Sequence, residues 1–328
     1  MRIINVFPGW AMVSLAFVML SCASVKDGQF KSQLANSNCN QQTEFTYTSK
    51  DLPAPIHEIA IDSILKNRFS FRSLNTANAH GLLELLTEYV KKQKTYTNQP
   101  TLERKVNLIE IAQKINQRIN LASLEISAVA SEIDCEEERI DQIATYLKGK
   151  ENETESKLTV AAIGIGAAGT IITGILLARG DDNKLSDEIG IGMGLTEATL
   201  GFLILKNTKK IEFYHHRNAL KDIWKAPETS NIFPPSVWYY LNYYNPAKNE
   251  KSIRQQLIDK WLDFGQIANA KDKKKEQLYS LYFDIGGKYS SEQLKNRAEM
   301  YDQIESQIKL MKQNLTVLTI EFEALSKE

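Results

Sequence analysis

The apolar positions along the chain fall into three kinds of pattern. From Leu108 they recur at alternating steps of four and three: Leu108, Ala112, Ile115, Ile119, Ala122, Ile126, Val129 and Ile133, then Glu136, then Ile140, Ile143 and Leu147. A 4,3 repeat keeps one stripe on one side of a slightly underwound helix, so residues 101–147 are expected to form a single helix with a coiled-coil seam. At 1.5 Å per residue it would run about 70 Å. Residues 292–326 repeat the device with Leu294, Arg297, Tyr301, Ile304, Ile308, Met311, Leu315, Leu318, Phe322 and Leu325. The two seams are expected to pack antiparallel on each other within the chain; the alternative is that each seeks a partner, in a homo-oligomer or on another helical protein.

Between the seams lie two segments without amphipathic period. Residues 158–178 (LTVAAIGIGAAGTIITGILLA) carry no charge, and as a helix of about 32 Å they match the roughly 30 Å hydrocarbon core of a bilayer. Residues 189–205 carry one charge, Glu197, and are marginal as a span alone. The connector 179–188 (RGDDNKLSDE) is polar, so the pair reads as a helical hairpin. Gly164, Gly166, Gly169 and Gly174 on the first segment, and Gly190, Gly192, Gly194 and Gly201 on the second, would let two helix backbones approach in lipid. In water each such glycine costs a helix about 0.5–1 kcal/mol, which favours a membrane over an ordinary core. The competing reading is a hairpin permanently buried in the protein.

The third pattern is short and amphipathic. Helices are expected over 56–66, over 76–94 with Leu82, Leu83, Leu85, Leu86, Tyr89 and Val90, over 206–226, and around Ile253, Leu257, Trp261 and Leu262, with a further run from Leu278 to Phe283. No run alternates convincingly enough to predict a sheet. The fold class expected is therefore all-α: an elongated helical bundle with long antiparallel coiled-coil-like helices and a central hydrophobic, glycine-rich hairpin.

The first residues concern location. Arg2 precedes an apolar stretch densest from Trp10 to Leu20, the layout of a secretory signal peptide over 1–21. Met19-Leu20-Ser21-Cys22 resembles the lipobox of bacterial lipoproteins, and the resemblance implies that Cys22 is lipidated and begins the mature chain. Ala23 and Ser24 lack the aspartate that enterobacterial sorting associates with inner-membrane retention, so by that resemblance outer-membrane attachment in the cell envelope is expected. Residues 22–55, polar and closed by Pro53 and Pro55, read as a flexible tether. The domains are then the tether, N-terminal helices over 56–157, the hairpin over 158–205 and C-terminal helices over 206–328. With export, Cys39 and Cys135 form either a disulfide or two free thiols.

Charge adds an exclusion. Lys+Arg 40 balances Asp+Glu 40, so nothing steers the chain toward nucleic acid. Candidate chemistry is thin. Gly164, Gly166 and Gly169 spell a dinucleotide fingerprint, but Asp181 and Asp182 follow too soon for the helix and second strand that the motif needs. His215 and His216 are adjacent and diverge by about 100° on a helix, unlike an i, i+4 metal pair; His57 and His80 stand alone. The aromatic run Trp238, Tyr239, Tyr240, Tyr243 and Tyr244 is either a core cap, an interface belt or a sugar-stacking surface, the first preferred. Arg179-Gly180-Asp181 reads as a turn. No catalytic site, cofactor or metal is expected, and the chain is read as non-enzymatic.

Glu197 is the most informative single residue, because a carboxylate at mid-membrane costs about 2.5–3.5 kcal/mol unless protonated or partnered. Lys206, Lys209 and Lys210 flank the hairpin, while its connector holds Asp181, Asp182, Asp187 and Glu188. Insertion from outside the cytoplasm reconciles this charge order with export. Taken over residues 101–328, a long helix, a glycine-rich apolar hairpin and further long helices resemble the layout of α-helical pore-forming toxins of the cytolysin A and haemolysin BL type, and that resemblance implies a hairpin inserted on oligomerisation. Two functions follow as expectations: an envelope lipoprotein acting as a scaffold or interaction module on a lipid bilayer, and a pore-forming effector.

Overall fold

The computed structural model describes residues 39–40, 44–179, 183–248, 250–267 and 272–327. Their elements, in chain order, are α1 (Ser63–Lys66), α2 (Phe71–Ala79), α3 (Leu83–Asn98), α4 (Leu102–Arg179), α5 (Asn183–Leu205), β1 (Lys210–Tyr214), α6 (Ala219–Lys225), α7 (Pro235–Asn242), α8 (Ile253–Asp263), α9 (Asp272–Phe283), β2 (Gly286–Ser290) and α10 (Ser291–Ser326). The fold is all-α with long antiparallel helices. The chain divides into two units. A hairpin unit holds, of the described residues, Ala144–Ile211 and Lys288–Ser291; a body holds those of Gln33–Ile143, Glu212–Gly287 and Glu292–Glu328.

In the body the two seams meet. All ten seam positions of α10 are buried, and so are those of α4 from Leu108 to Ile143 except Ala112 and Glu136, which are half-buried; Ile111 supplements the stripe. Leu108, Ile111, Ile115 and Ile119 share one cluster with Leu318, Phe322 and Leu325, whereas Glu137 faces Asp302 and Glu305. Early α4 thus lies against late α10, and the pair is antiparallel. Helices α2 and α3 close this end through Leu74, Ala77, Leu82, Leu86 and Tyr89, with the Tyr89 and Phe322 rings edge-on at 5.0 Å.

Several expected boundaries move. The helix expected over 76–94 is split, because α2 ends where Gly81 takes φ +64. Gly81 N–H donates to Asn78 O at 3.1 Å and Leu82 N–H to Ala77 O at 2.7 Å, the paired bonds of a Schellman stop. The helix expected over 56–66 is a single tight turn at Ile56–Glu58 followed by α1. The helix expected from 206 to 226 is largely replaced by β1, whose burial alternates as eBeBe with Ile211 and Phe213 inward, before the short α6. Strands β1 and β2 pair as a two-stranded sheet, which the sequence reading did not anticipate. Gly286, at φ +94, permits this, since a Cβ there would stand 2.4 Å from Phe213 O.

The tether also shrinks. Residues 44–55 are fixed to the body rather than free: Phe45 N–H donates to Asn231 O at 3.2 Å, Tyr47 O–H donates to Phe233 O at 3.0 Å, and Ser230 N–H donates to the Tyr47 hydroxyl at 3.0 Å. Cys39 and Cys135 are joined by a disulfide with Cα atoms 5.4 Å apart, closing a loop of 96 residues onto α4. Cys22, Gly180, Asp181 and Asp182 lie outside the described residues.

The two polar seam residues explain each other's neighbourhood. Arg297, 1% exposed, donates to Tyr282 O at 2.9 Å, Asn218 Oδ1 at 3.0 Å and the Tyr301 hydroxyl at 3.2 Å. Glu136 pairs with Arg139 at 2.5 Å and adds its field at Tyr301, whose hydroxyl burial holds above its ordinary pKa. A polar layer of this kind, inside an otherwise apolar seam, favours one register over its slipped alternatives.

Candidate membrane-inserting hairpin

Residues 158–179 of α4 and the whole of α5 form the two arms. Helix α4 does not stop at Leu147 but runs through the polar stretch 148–157 into the apolar segment. Most of the expected polar connector is helical too, since α5 begins at Asn183. Lysine and glutamate supply six of the ten residues 148–157, and no proline interrupts that stretch.

Within α4 lies an 18-residue window apolar and long enough to cross a bilayer, and 6% of it is buried. Val160 is 70% exposed and Ile163 67%, and Ile171, Ile175, Ile191, Leu195, Phe202 and Leu205 are exposed as well. The apolar part of α5, Ile191–Leu205, is shorter, about 22 Å at 1.5 Å per residue. These exposures do not fit a hairpin buried within this chain. The hydroxyls of Thr170, Thr196 and Thr199 donate back to the carbonyls of Gly166, Gly192 and Leu195 at 3.1, 2.9 and 2.7 Å, so these polar groups are already satisfied within their own helices.

Two points fix the arms to each other. A Cβ on Gly166 would lie 2.4 Å from Glu197 Oε1, and one on Gly169 would lie 2.2 Å from Met193 Sδ. The side chains of Met193 and Glu197, one turn apart on α5, sit over the backbone of α4 where it has no side chain. The packing is therefore side chain onto glycine, not glycine against glycine. Gly164, Gly174, Gly192, Gly194 and Gly201 have nothing within 4 Å of where a Cβ would be, and the surroundings of Gly190 fall outside the described residues. Of the seven hairpin glycines whose surroundings are described, two make the close approach.

At its base the hairpin is closed by a residue that sequence reasoning passed over. Glu151, 6% exposed, accepts the Lys209 N–H through Oε1 at 3.0 Å and the Ser291 hydroxyl through Oε2 at 3.0 Å, while its carbonyl accepts the Asn207 amide at 2.8 Å. Lys209 Nζ donates to Thr154 Oγ1 at 2.7 Å. The chain leaving α5 is thereby strapped to α4 directly below the apolar arms. In sequence Glu151 is one of three glutamates in a polar run, and nothing there distinguishes it.

The remaining candidates do not assemble into a chemical site. Gly164, Gly166 and Gly169 sit inside α4 with no strand before them, which removes the nucleotide-loop geometry. Among the described residues no three His, Cys, Asp or Glu side chains group to hold a metal. His215 is buried and held neutral, its pKa pushed down to about 2 by burial and by Arg297. Trp238 and Tyr239 are buried, and Trp238 stacks on Phe233 at 5.7 Å, so this part of the aromatic run is core. Comparison of the chain with protein-family models, with curated proteins and with solved structures finds no match.

Proposed function

We propose that this chain is an exported, lipid-anchored envelope protein whose helical body presents the hairpin 158–205 to a lipid bilayer, where it serves as a non-enzymatic structural or interaction component of a membrane complex. The observation that carries the reading is the exposed apolar window of α4, 6% buried, on a helix long enough to span a bilayer. In water that surface is unfavourable at about 25 cal/mol per Å2, and a bilayer removes the penalty. The lipobox-like Cys22 supplies the anchor, with the outer membrane as its preferred location.

A second reading, a pore-forming effector, draws on Glu197. Its carboxylate lies over Gly166 and is the one charge, and an exposed one, in 191–205, and a charge so placed in lipid is tolerated when it lines water or a neighbouring hairpin. Flotation with liposomes tests the first reading: the Cys22→Ser chain is expected to float, and the same chain lacking 158–205 to stay in solution. Sedimentation of both forms sinks the membrane assignment. Dye release from the same liposomes, lost in the deletion, selects the pore over the scaffold.

A further inference from the structure

The aromatic run that the hairpin leaves unused borders two hollows in the body, each of about 240 Å3. They share Tyr239, Tyr243 and Tyr244 as a dividing ridge. The first is lined by Tyr240, His80, Arg72, Asn75, Gln256 and Lys248; the second by Trp238, His57, Pro53, Pro55 and Leu52. Both are smaller than the roughly 300–1,000 Å3 of pockets for drug-sized ligands, and each is sized for a single ring.

Two buried polar atoms along this groove have no hydrogen-bond partner: Nε2 of His80, a residue 5% exposed, and the hydroxyl oxygen of Tyr243. A buried polar atom left unpaired costs about 1–3 kcal/mol, a penalty that a ligand hydroxyl or amide would relieve. Burial and the nearby Arg118 push the His80 pKa down to about 4, so its imidazole is neutral and offers Nε2 as a donor or an acceptor. By contrast the Tyr239 hydroxyl is fully engaged, accepting from Ile56 N–H and the Asn78 amide and donating to Asn75 Oδ1 at 2.7 Å. The shared ridge thus holds one saturated hydroxyl and one open one.

Charge selects the ligand class. Arg72 and Lys248 are exposed at the first hollow, and neither pairs with a carboxylate among the described residues. Lys251 is engaged with Asp259 at 2.6 Å; among the described residues Glu250 is the one carboxylate lining the first hollow, and Glu228 lines the second. Aromatic faces, side-chain amides and unpaired guanidinium and ammonium groups suit a pyranose ring with an acidic substituent: the rings take its apolar face, the amides its hydroxyls, and Arg72 its carboxylate. We infer that this groove binds an acidic saccharide of at least two rings, the acidic ring lying in the hollow beside Arg72 and Lys248 and the next ring crossing Tyr243 toward the exposed Tyr244 and His57.

The test uses the full chain in lipid nanodiscs, titrated with di- to tetrasaccharides containing uronic or N-acetylmuramic acid and with neutral cellobiose and chitobiose. Saturation-transfer NMR and isothermal titration calorimetry are the readouts. The acidic saccharides are expected to bind at least tenfold more tightly than the neutral ones. Arg72→Gln is expected to remove that preference, a tenfold loss corresponding to one charge-assisted hydrogen bond. Tyr243→Phe is expected to weaken binding by roughly fivefold with the fold unchanged. Failure of every saccharide to bind, equal affinity for acidic and neutral members, or binding of a proline-rich peptide in place of any saccharide would each overturn the assignment.

Discussion

Isoleucine has opposite fates in the two units. In the body, Ile115, Ile126, Ile140, Ile304 and Ile308 are fully buried, each at 0% exposure. In the hairpin unit Ile163, Ile171 and Ile191 are all more than 60% exposed. The difference lies in the period. A 4,3 stripe gives a helix one apolar side, which another helix of the same chain can cover, whereas an arm apolar all round has more greasy surface than one neighbour can hide. The body covers its own apolar stripe, whereas the hairpin's arms leave theirs exposed. The experiments that follow strain this contrast, beginning with the body's strongest constraint.

The bond between Cys39 and Cys135 closes a loop of 96 residues, for which the chain-entropy account gives about 4–5 kcal/mol. Replacing both cysteines with serine is expected to lower the body's unfolding free energy by that amount in urea titrations followed by near-UV circular dichroism. Liposome flotation through the hairpin should persist. A double variant as stable as the parent would mean that the bridge contributes nothing in solution.

Core truncation comes next. Ile304→Ala in the buried seam is expected to cost about 2–5 kcal/mol, while Ile163→Ala, at 67% exposure, should stay within about 0.5 kcal/mol in the absence of lipid. Comparable losses at the two sites would show that another surface covers the hairpin in solution.

Histidine titration should act on the body alone, because all four histidines, His57, His80, His215 and His216, lie outside the hairpin arms. His80 and His215 have folded pKa values of about 4 and about 2, below the roughly 6.5 of an unfolded histidine. The unfolded chain therefore binds protons that the folded chain refuses. Their contribution to stability is full above pH 6.5 and falls as the pH drops, reaching a loss on the order of 2 kcal/mol for each by pH 5. His80→Gln should flatten the stability curve between pH 6.5 and 4 by close to one proton. An unchanged slope would show that His80 already titrates normally in the fold.

How legible these features were in the sequence follows from how far their causes reach along the chain. The seams are periodic over many turns, so local spacing reveals them, and the polar exceptions Glu136 and Arg297 were visible as interruptions. The bonds of Arg297 to Asn218 and Tyr282 were not, because they depend on residues distant in sequence. Gly81 was an available stop signal inside the expected helix over 76–94; the run of leucines beside it outweighed it. Lys-Ile-Glu-Phe-Tyr alternates over five residues in β1, but its partner β2 begins Gly-Gly and has no pattern of its own. For the hairpin, composition marked the arms, yet only tertiary placement distinguishes Gly166 and Gly169 from the glycines that face open space.

Those two glycines give the smallest effect and the sharpest contrast. In water a glycine-to-alanine change inside a helix gains about 0.5–1 kcal/mol of propensity. At Gly169 the new methyl would displace Met193 Sδ, now 2.2 Å from that position, but Met193 is unbranched and can swing outward. Gly169→Ala is therefore expected to leave the soluble form neutral or slightly more stable. In a bilayer, where no hydrophobic force draws the arms together and close packing holds them, the same change should loosen the hairpin. Gly174→Ala, with nothing within 4 Å, provides the control and should do neither. Cross-linking between cysteines placed at Ala167 and Thr196, compared in water and in liposomes, reads the arm spacing in both settings. A Gly169→Ala chain whose arms stay as close in lipid as those of the control would show that the glycine contact does not hold the inserted hairpin together.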